Sequence, residues 1–489
     1  MPRGPRYTLA LGVAVIAVPL WGQQAPEPVK PGSVAVSGSI RSRVENWGWF
    51  TPDSGNPDYT FMGNLLRLNF SGTGARLDWM LELESPILLA LPSDAIAPGV
   101  QGQLGMGGSY FASNDRKSNV GMVFPKQVFV RVKRLFGNEF SSLRVGRFEF
   151  QDGGEVTAKN PTMDVIKRDR VHQRLLGPFV FTHVMRSFDG FHYVYNRPKI
   201  NYTLIGAFPT RGVFQVDAWG WMKTGFAYAS ATGQVQKGKK NTGEWRLFGI
   251  YYHDWRQVLK QDNRPAAART TDHGNVRIGT YGGHYLHVIE TGGGAFDILA
   301  VGAGQFGRWG VLDHRAGMID LEAGFQPRIL PKLKPWFRAG YYYGTGDGNP
   351  SGGKHTTFFQ ILPTARPFAR FPFFDMMNNE DFMGIITVRP HKKLVLKSEY
   401  HGLRLANRSD NWYIGGGAFQ PWSFGYQARS AGGARGLANL YDVSGDVTVN
   451  AHVAFTLYYG FAQGKSVIQA IYPRGKDGHL GYAEMTLKF

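Results

Sequence analysis

Along most of this chain, apolar and polar residues take turns. In the last nine residues, Ala483, Met485, Leu487 and Phe489 fall on one face, and Tyr482, Glu484, Thr486 and Lys488 on the other. A period of two places successive side chains on opposite faces of a β-strand. The same pattern sets Val34, Val36, Ile40 and Val44 against Ser37, Ser39, Arg41, Arg43 and Glu45. It sets Leu77, Trp79, Leu81 and Leu83 against Asp78, Glu82 and Glu84, and Val128, Val130 and Val132 against Gln127, Arg131 and Lys133. Near the end, Phe455, Leu457, Tyr459 and Phe461 oppose Thr456 and Tyr458. Each run has about the 9–11 residues of a tilted strand that crosses a bilayer. A soluble sandwich also alternates, but it seldom sets so much charge against so much aliphatic surface.

The connections separate these possibilities. Short turns, such as Pro390 to Lys392 and the one at Asn450, alternate with long loops near 85–125, 151–187, 344–381 and 406–437. Short turns on one side and long loops on the other are the pattern of an outer-membrane β-barrel. The expectation is an all-β, transmembrane antiparallel barrel of about 18 strands over residues 34–489, with short periplasmic turns and long extracellular loops. In the middle of the chain, strands are expected near 214–228, 243–253, 275–290, 295–305 and 316–327. A free sheet edge in lipid would leave backbone groups unpaired, so the last strand is expected to pair with the first. Phe489 then sits in the aromatic girdle, and a terminal aromatic on an amphipathic strand is the signal read by the bacterial barrel assembly machinery.

Composition agrees with many strands and turns. Of 489 residues, 43% are hydrophobic, 14% are aromatic and 64 are glycine. With no cysteine, disulfides and thiolate metal sites are excluded. Arg3 and Arg6 precede an apolar run from Leu9 to Leu20, and Gly22 follows it. This is a signal-peptide pattern over 1–22, leaving 23–33 as a short periplasmic segment. The net charge of +19 lacks clustered lysine runs, which in an exported chain argues against nucleic acid. An acidic solute, or the lipid and lipopolysaccharide of an outer membrane, fits better.

If the apolar face meets lipid, the polar face lines the lumen. Alternation places Arg41, Arg43, Arg67, Arg76, Arg131, Lys133, Arg144, Arg338, Arg389 and Lys397 inside, together with Glu45, Asp78, Glu82, Glu84, Asp320, Glu322, Glu399, Asp442 and Asp446. Most of these cations fall near the middle of their strands, whereas Glu45, Glu82 and Glu84 lie toward the extracellular ends. Rings of Arg and Lys favour anions in pores, and guanidinium matches carboxylate in two-point geometry. The competing expectation is that these arginines pair with wall acids and hold an interior network together.

The stretch from Pro335 to Phe419 resembles the alginate-export family of outer-membrane porins. The resemblance rests on the strand and Gly-Asp loop of "PWFRAGYYYGTGDGN", on "TFFQILPTARPFARFPFFDMMNNED" and on "RPHKKLVLKSEYHGLRLA". "LRVGRFEFQDG", "RSFDGFHYVY" and "AVGAGQFGRWG" fit it too. The resemblance implies an 18-stranded monomeric barrel with an electropositive, arginine-rich pore that passes a polyuronate, with periplasmic export components as partners. It adds Arg338, Arg366, Arg370, Lys397, Glu399 and His401 as pore candidates. The family is broad, so a general or small-anion diffusion porin stands as the alternative, followed by a non-conducting structural or enzymatic barrel.

Smaller motifs change little. Ser398 and His401 lie on opposite faces, and there is no G-x-S-x-G elbow, so no enzyme is expected. "GTGDGN", Gly344 to Asn349, is the one candidate for a structural calcium ion, but it lacks the Glu at EF-hand spacing. No other cofactor is expected. His284 and His287 point to opposite faces and read as surface or girdle histidines. The phenylalanine-rich segment 344–381 is a candidate to fold inward and restrict the pore.

Overall fold

The computed structural model describes residues 34–237, 240–364, 370–430 and 432–489; the expected signal peptide, the 23–33 segment and Arg366 lie outside these. A single antiparallel barrel of 18 strands closes on itself. Its first six strands are β1 (Val34–Gly48), β2 (Asp58–Thr73), β3 (Leu77–Leu89), β4 (Phe124–Lys133), β5 (Ser141–Phe148) and β6 (Phe188–Arg197). The next six are β7 (Ile200–Pro209), β8 (Thr224–Lys237), β9 (Asn241–Asp254), β10 (Val276–Glu290), β11 (Gly294–Trp309) and β12 (Leu312–Pro327). The last six are β13 (Trp336–Gly344), β14 (Asn379–His391), β15 (Leu394–Leu405), β16 (Gly436–Thr448), β17 (Val453–Gly464) and β18 (Asp477–Lys488).

The period of two in the sequence is the period of the wall. Val128, Val130, Val132, Leu457 and Tyr459 are exposed on the outside, while Arg41, Arg43, Glu45 and Glu84 are buried within. In water this arrangement would be inverted. In hydrocarbon, the aliphatic face is the solvated one, and closure satisfies every strand's backbone.

The seam is made by β1 and β18, in register from Ser39 opposite Lys488 to Gly48 opposite His479. Beyond the last strand, Phe489 and Gly38 exchange two backbone hydrogen bonds, at 2.8 and 3.0 Å. A Cβ at Gly38 would stand 2.4 Å from the Phe489 ring. Glycine there lets the terminal ring lie flat on the neighbouring strand.

One expected strand is displaced. The segment near 214–228 gives way to β8, which begins at Thr224 and runs to Lys237. Its alternating aromatics, Trp219 and Trp221, belong instead to a turn folded back on the rim, where Arg211 N–H donates to Gly220 O at 2.9 Å. The true strand turns Ala227, Ala229 and Ala231 outward, and small side chains give a weak apolar signal.

Two long extracellular segments fold into the barrel. Residues 149–187 follow β5, and the described residues 345–364 and 370–378 follow β13. They meet as a parallel bridge between Leu176 and Leu362, with Gly177 N–H donating to Leu362 O at 2.8 Å. The inward fold of the second segment is driven by its aromatics: Phe358, Phe359, Phe371, Phe373 and Phe374 are all buried. Phe371 packs edge-on against Trp47 at 5.7 Å, and Phe373 against Phe50 at 5.8 Å. A short hairpin, Trp412–Gly415 with Tyr426–Arg429, completes this extracellular aromatic core, with Trp412 against Phe50 at 6.0 Å.

Replacing Gly38 by Leu should drive the Phe489 ring off β1 and weaken the seam. Gel mobility of unheated samples after stepwise heating should show the barrel unfolding at a lower temperature than wild type. An unchanged unfolding temperature would show that the terminal contact is incidental to closure.

Candidate functional site

The lumen confines many charges within a narrow space, so the arrangement of their partners decides what a solute meets. The segment 149–187 crosses this space and is tied to both sides. On one side, β1 holds it by its carbonyls. Arg41 donates to Val180 O at 2.8 Å and to Thr182 O, and Arg43 donates to Phe181 O at 2.8 Å. Arg43 is itself held by Glu45 at 2.8 Å and by Glu484 of β18 at 3.2 Å. Two buried arginines thus satisfy backbone oxygens that an inserted loop would otherwise leave bare.

On the opposite wall the polarity is reversed, and the segment supplies the cations. A short helix over Pro161–Ile166 is capped by Asn160 and runs on as a wider turn over Lys167–Val171. From it, Lys167 reaches Glu244 of β9 at 2.8 Å, and Arg170 reaches Glu322 of β12 at 2.8 Å. Arg174 lies 2.6 Å from Asp320. Arg338 of β13 shares Glu322 at 2.7 Å and donates to Asp297. His284 is not a surface or girdle histidine: it is buried, with Nε2 at 3.1 Å from Glu244. His287, on the outer face, meets Tyr285 OH at 2.8 Å.

The remaining expected residues divide by what they touch. Arg67 donates to Glu82 and lies 3.0 Å from Glu149. Glu82, Glu84 and Glu149 gather as closely as the ligands of a metal ion, but Arg67 and Lys126 stand among them and supply the positive charge. His401 is buried against Asp381 at 2.8 Å. Arg41, Arg43, Arg67, Arg338 and His401 are therefore locked into the wall. Arg131 pairs with Asp78 yet remains 47% exposed, and Lys133 lies 2.7 Å from the same carboxylate. Arg144 stacks on Phe148 at 4.5 Å and meets His192 at 2.8 Å. Lys397 sits 3.0 Å from Glu399 and 4.0 Å from Asp169. Arg370 is 3.0 Å from Asp446, and Arg389 lies within the field of Arg168 and Asp169.

Asp169 faces these cations from the inserted segment. Burial alone would raise its pKa, but the Arg168 guanidinium and Lys397 outweigh burial and hold it down at about 2. In the Gly344–Asn349 turn, Asp347 Oδ1 accepts from Asn349 N–H at 3.0 Å, and Asp347 N–H donates to Asp410 at 2.8 Å. Of the residues that alternation missed, Arg168, Asp169 and Arg170 sit on helical turns and Arg174 in the bend just beyond them, none with a period of two. Their one signal is the density of basic residues in "KRDRVHQR".

A closed barrel with a lipid-facing aliphatic wall, extracellular loops folded into its lumen and charges across its interior defines a porin of the bacterial outer membrane. Residues 108–471 match the model of the alginate export family, and the chain belongs to that family. Among solved structures, it is similar to the outer-membrane protein OpdK of Pseudomonas aeruginosa, with a TM-score of 0.55 and 10% identity over 93% of this chain and 99% of that one. It is similar to OccK9 (OpdG) of the same organism, at 0.56 and 10% over 94% and 98%, and to OpdK with vanillate, at 0.56 and 10% over 93% and 98%. At such identity the likeness is one of fold. No curated protein matches the chain.

Removing Arg170 and Arg174 together, as alanines, leaves Asp320 and Glu322 with Arg338 as their remaining cation. Breaking a buried pair costs about 3–5 kcal/mol, so the double variant should unfold at a clearly lower temperature by gel shift, and by a larger margin than Arg168→Ala, whose pair with Asp169 is partly exposed. The Asp169 contact has a defined pH window. Its folded pKa lies below the ordinary 3.8, so its contribution is complete above that value and is lost as pH falls through about 2. The Asp169→Asn variant should therefore show the same stability difference from wild type at about pH 5 as at about pH 8. A difference that changes across that range would contradict the assignment.

Proposed function

We propose that this porin conducts anionic solutes, and that an acidic polysaccharide of the alginate type is its exported substrate. One observation carries the reading. After the interior pairs are formed, the lumen-facing groups that keep solvent exposure are chiefly cations: Arg131, Lys133, Arg144, Arg168, Arg370, Arg389 and Lys397, against Glu149, Asp164, Asp169 and Asp446. In a narrow water-filled path, a unit charge about 4 Å from a carboxylate is worth between ~1 kcal/mol at bulk dielectric and ~4 kcal/mol near a protein wall. A polyuronate presents a carboxylate on every sugar, and planar guanidinium groups match that repeat. Membership of the alginate export family supports the polymer and the outward direction. In this reading the barrel acts as a monomer without a cofactor, receives its substrate from periplasmic export components, and is delivered by the barrel assembly machinery through Phe489.

A second reading, a diffusion porin for small anions, is favoured by the inserted residues 149–187, 345–364 and 370–378, which narrow the path a polymer would need. Both readings require anion preference, and polymer block separates them.

Replacing Arg131, Arg389 and Lys397 by Glu should abolish or reverse anion selectivity in single-channel reversal potentials. The preference should weaken as salt screens these charges beyond roughly 10 Å at 0.1 M. Alginate should block current in the wild type and not in the triple variant. A wild-type channel that prefers cations would exclude both readings. Anion preference without polymer block would leave the small-anion porin.

A further inference from the structure

The outer wall carries a second charged feature, on the lipid side rather than in the lumen. At the extracellular ends of β9 to β12, the register sets His253 opposite Arg277, Arg277 opposite Arg308, and Arg308 opposite Asp313. Arg315 lies one outward position deeper on β12, opposite Phe306. All share the face on which Tyr281 and Phe306 are exposed to lipid.

An Arg on the lipid face of a barrel costs about 2–4 kcal/mol at the midplane and about 0–1 near the interface. Like charges directly opposite each other on a sheet repel. Arg308 has Asp313 at 2.7 Å. Arg277 and Arg315 have no ion-pair partner among the described residues, although both are exposed. Other cations of the same rim are provided for: Arg147 pairs with Asp189 at 2.7 Å, and Arg404 and Arg435 converge on Glu380. The row on β10 to β12 therefore carries three guanidinium groups against the single carboxylate of Asp313, and Arg277 and Arg315 are left without a counter-charge among the described residues, at the height where the headgroups of the outer leaflet begin.

We propose that this row is a binding site for the phosphate of a phosphorylated glycolipid in the outer leaflet, of the lipopolysaccharide type. Arg277, without an ion-pair partner among the described residues, stands directly opposite Arg308 on the adjacent strand. Arg308 Nη1 leans on Asp313, so a phosphate would dock on the Arg277 guanidinium and on the unengaged nitrogens of Arg308. Arg315, about 6.6 Å deeper at roughly 3.3 Å per residue, reaches a second anionic group or the glycosidic oxygens. Phe306 and Tyr281 form the apolar floor beneath them, suited to the first methylenes of the acyl chains. The aromatic pair of His253 and Trp255, with rings 4.9 Å apart, closes one side. The assignment rests on the barrel's place in the outer membrane and is independent of what the lumen carries.

Native mass spectrometry of the detergent-extracted barrel, titrated with bis-phosphorylated lipid A, tests it. The wild type should hold one or more lipid molecules. Arg277→Gln, Arg308→Gln and Arg315→Gln together should lower occupancy at least tenfold, and Arg404→Gln with Arg435→Gln should leave it in place. Equal retention by the triple variant, or no retention by the wild type, overturns the site. A measurement on the wild type covers the case in which the variant fails to fold. Dephosphorylated lipid A at equal concentration should not displace the bound lipid, and displacement by it would show apolar adsorption rather than phosphate recognition. Anion selectivity of the triple variant should equal that of the wild type, which keeps this result separate from the function of the lumen.

Discussion

A sheet surrounded by hydrocarbon has nowhere to leave a free edge, and closing it drives every second side chain into a confined interior. In this chain that interior face carries much of the charge, so closure creates an electrostatic problem as it solves a hydrogen-bonding one. The seam between β1 and β18, finished by Phe489 against Gly38, is where the first requirement is met. The second is met by pairing charges between neighbouring wall strands and, on the side of β9 and β12, with partners from a segment that is not part of the wall.

The segment 149–187 takes opposite parts on its two sides. Toward β1 it offers carbonyl oxygens to Arg41 and Arg43, and toward β9 and β12 it offers Lys167, Arg170 and Arg174 to Glu244, Glu322 and Asp320. Desolvated ion pairs add little net stability over an apolar core, but losing one partner is costly because it strands the other. Such a layer fixes position more than it adds stability. It holds the segment across the channel while leaving Arg131, Arg389 and Lys397 accessible to a passing solute.

The wall was legible in the sequence because its physics is local. Alternation depends on adjacent residues, and it identified the lumen face of β1, β3 and β4 from their side chains alone. It failed at β8, where outward alanines carry little apolar signal and the girdle tryptophans before it alternate without a ladder. The site was legible in part. Arg338 and Arg131 look alike in sequence, as mid-strand arginines on the inner face. They differ because Arg338 meets Glu322 and Asp297 while Arg131 meets a single carboxylate at the open end of the lumen. Glu322 is further tied to Arg170, far away along the chain, and no periodicity reports a pairing of that range. The phenylalanines of 345–378 announced a buried segment, but their destination against Trp47 and Phe50 depended on closure.

The central claim is that the segment 149–187 is resident in the lumen and sets both the width and the sign of the path. Replacing residues 155–183 by a short glycine-serine linker, and recording single-channel conductance and reversal potential in planar bilayers, tests this directly. Loss of Lys167, Arg170 and Arg174 would remove three cations and leave Glu244, Asp320 and Glu322 with only His284 and Arg338 of the wall beside them. The account predicts a conductance several-fold above wild type together with a shift toward cation preference. A shortened barrel with wild-type conductance and unaltered selectivity would contradict it.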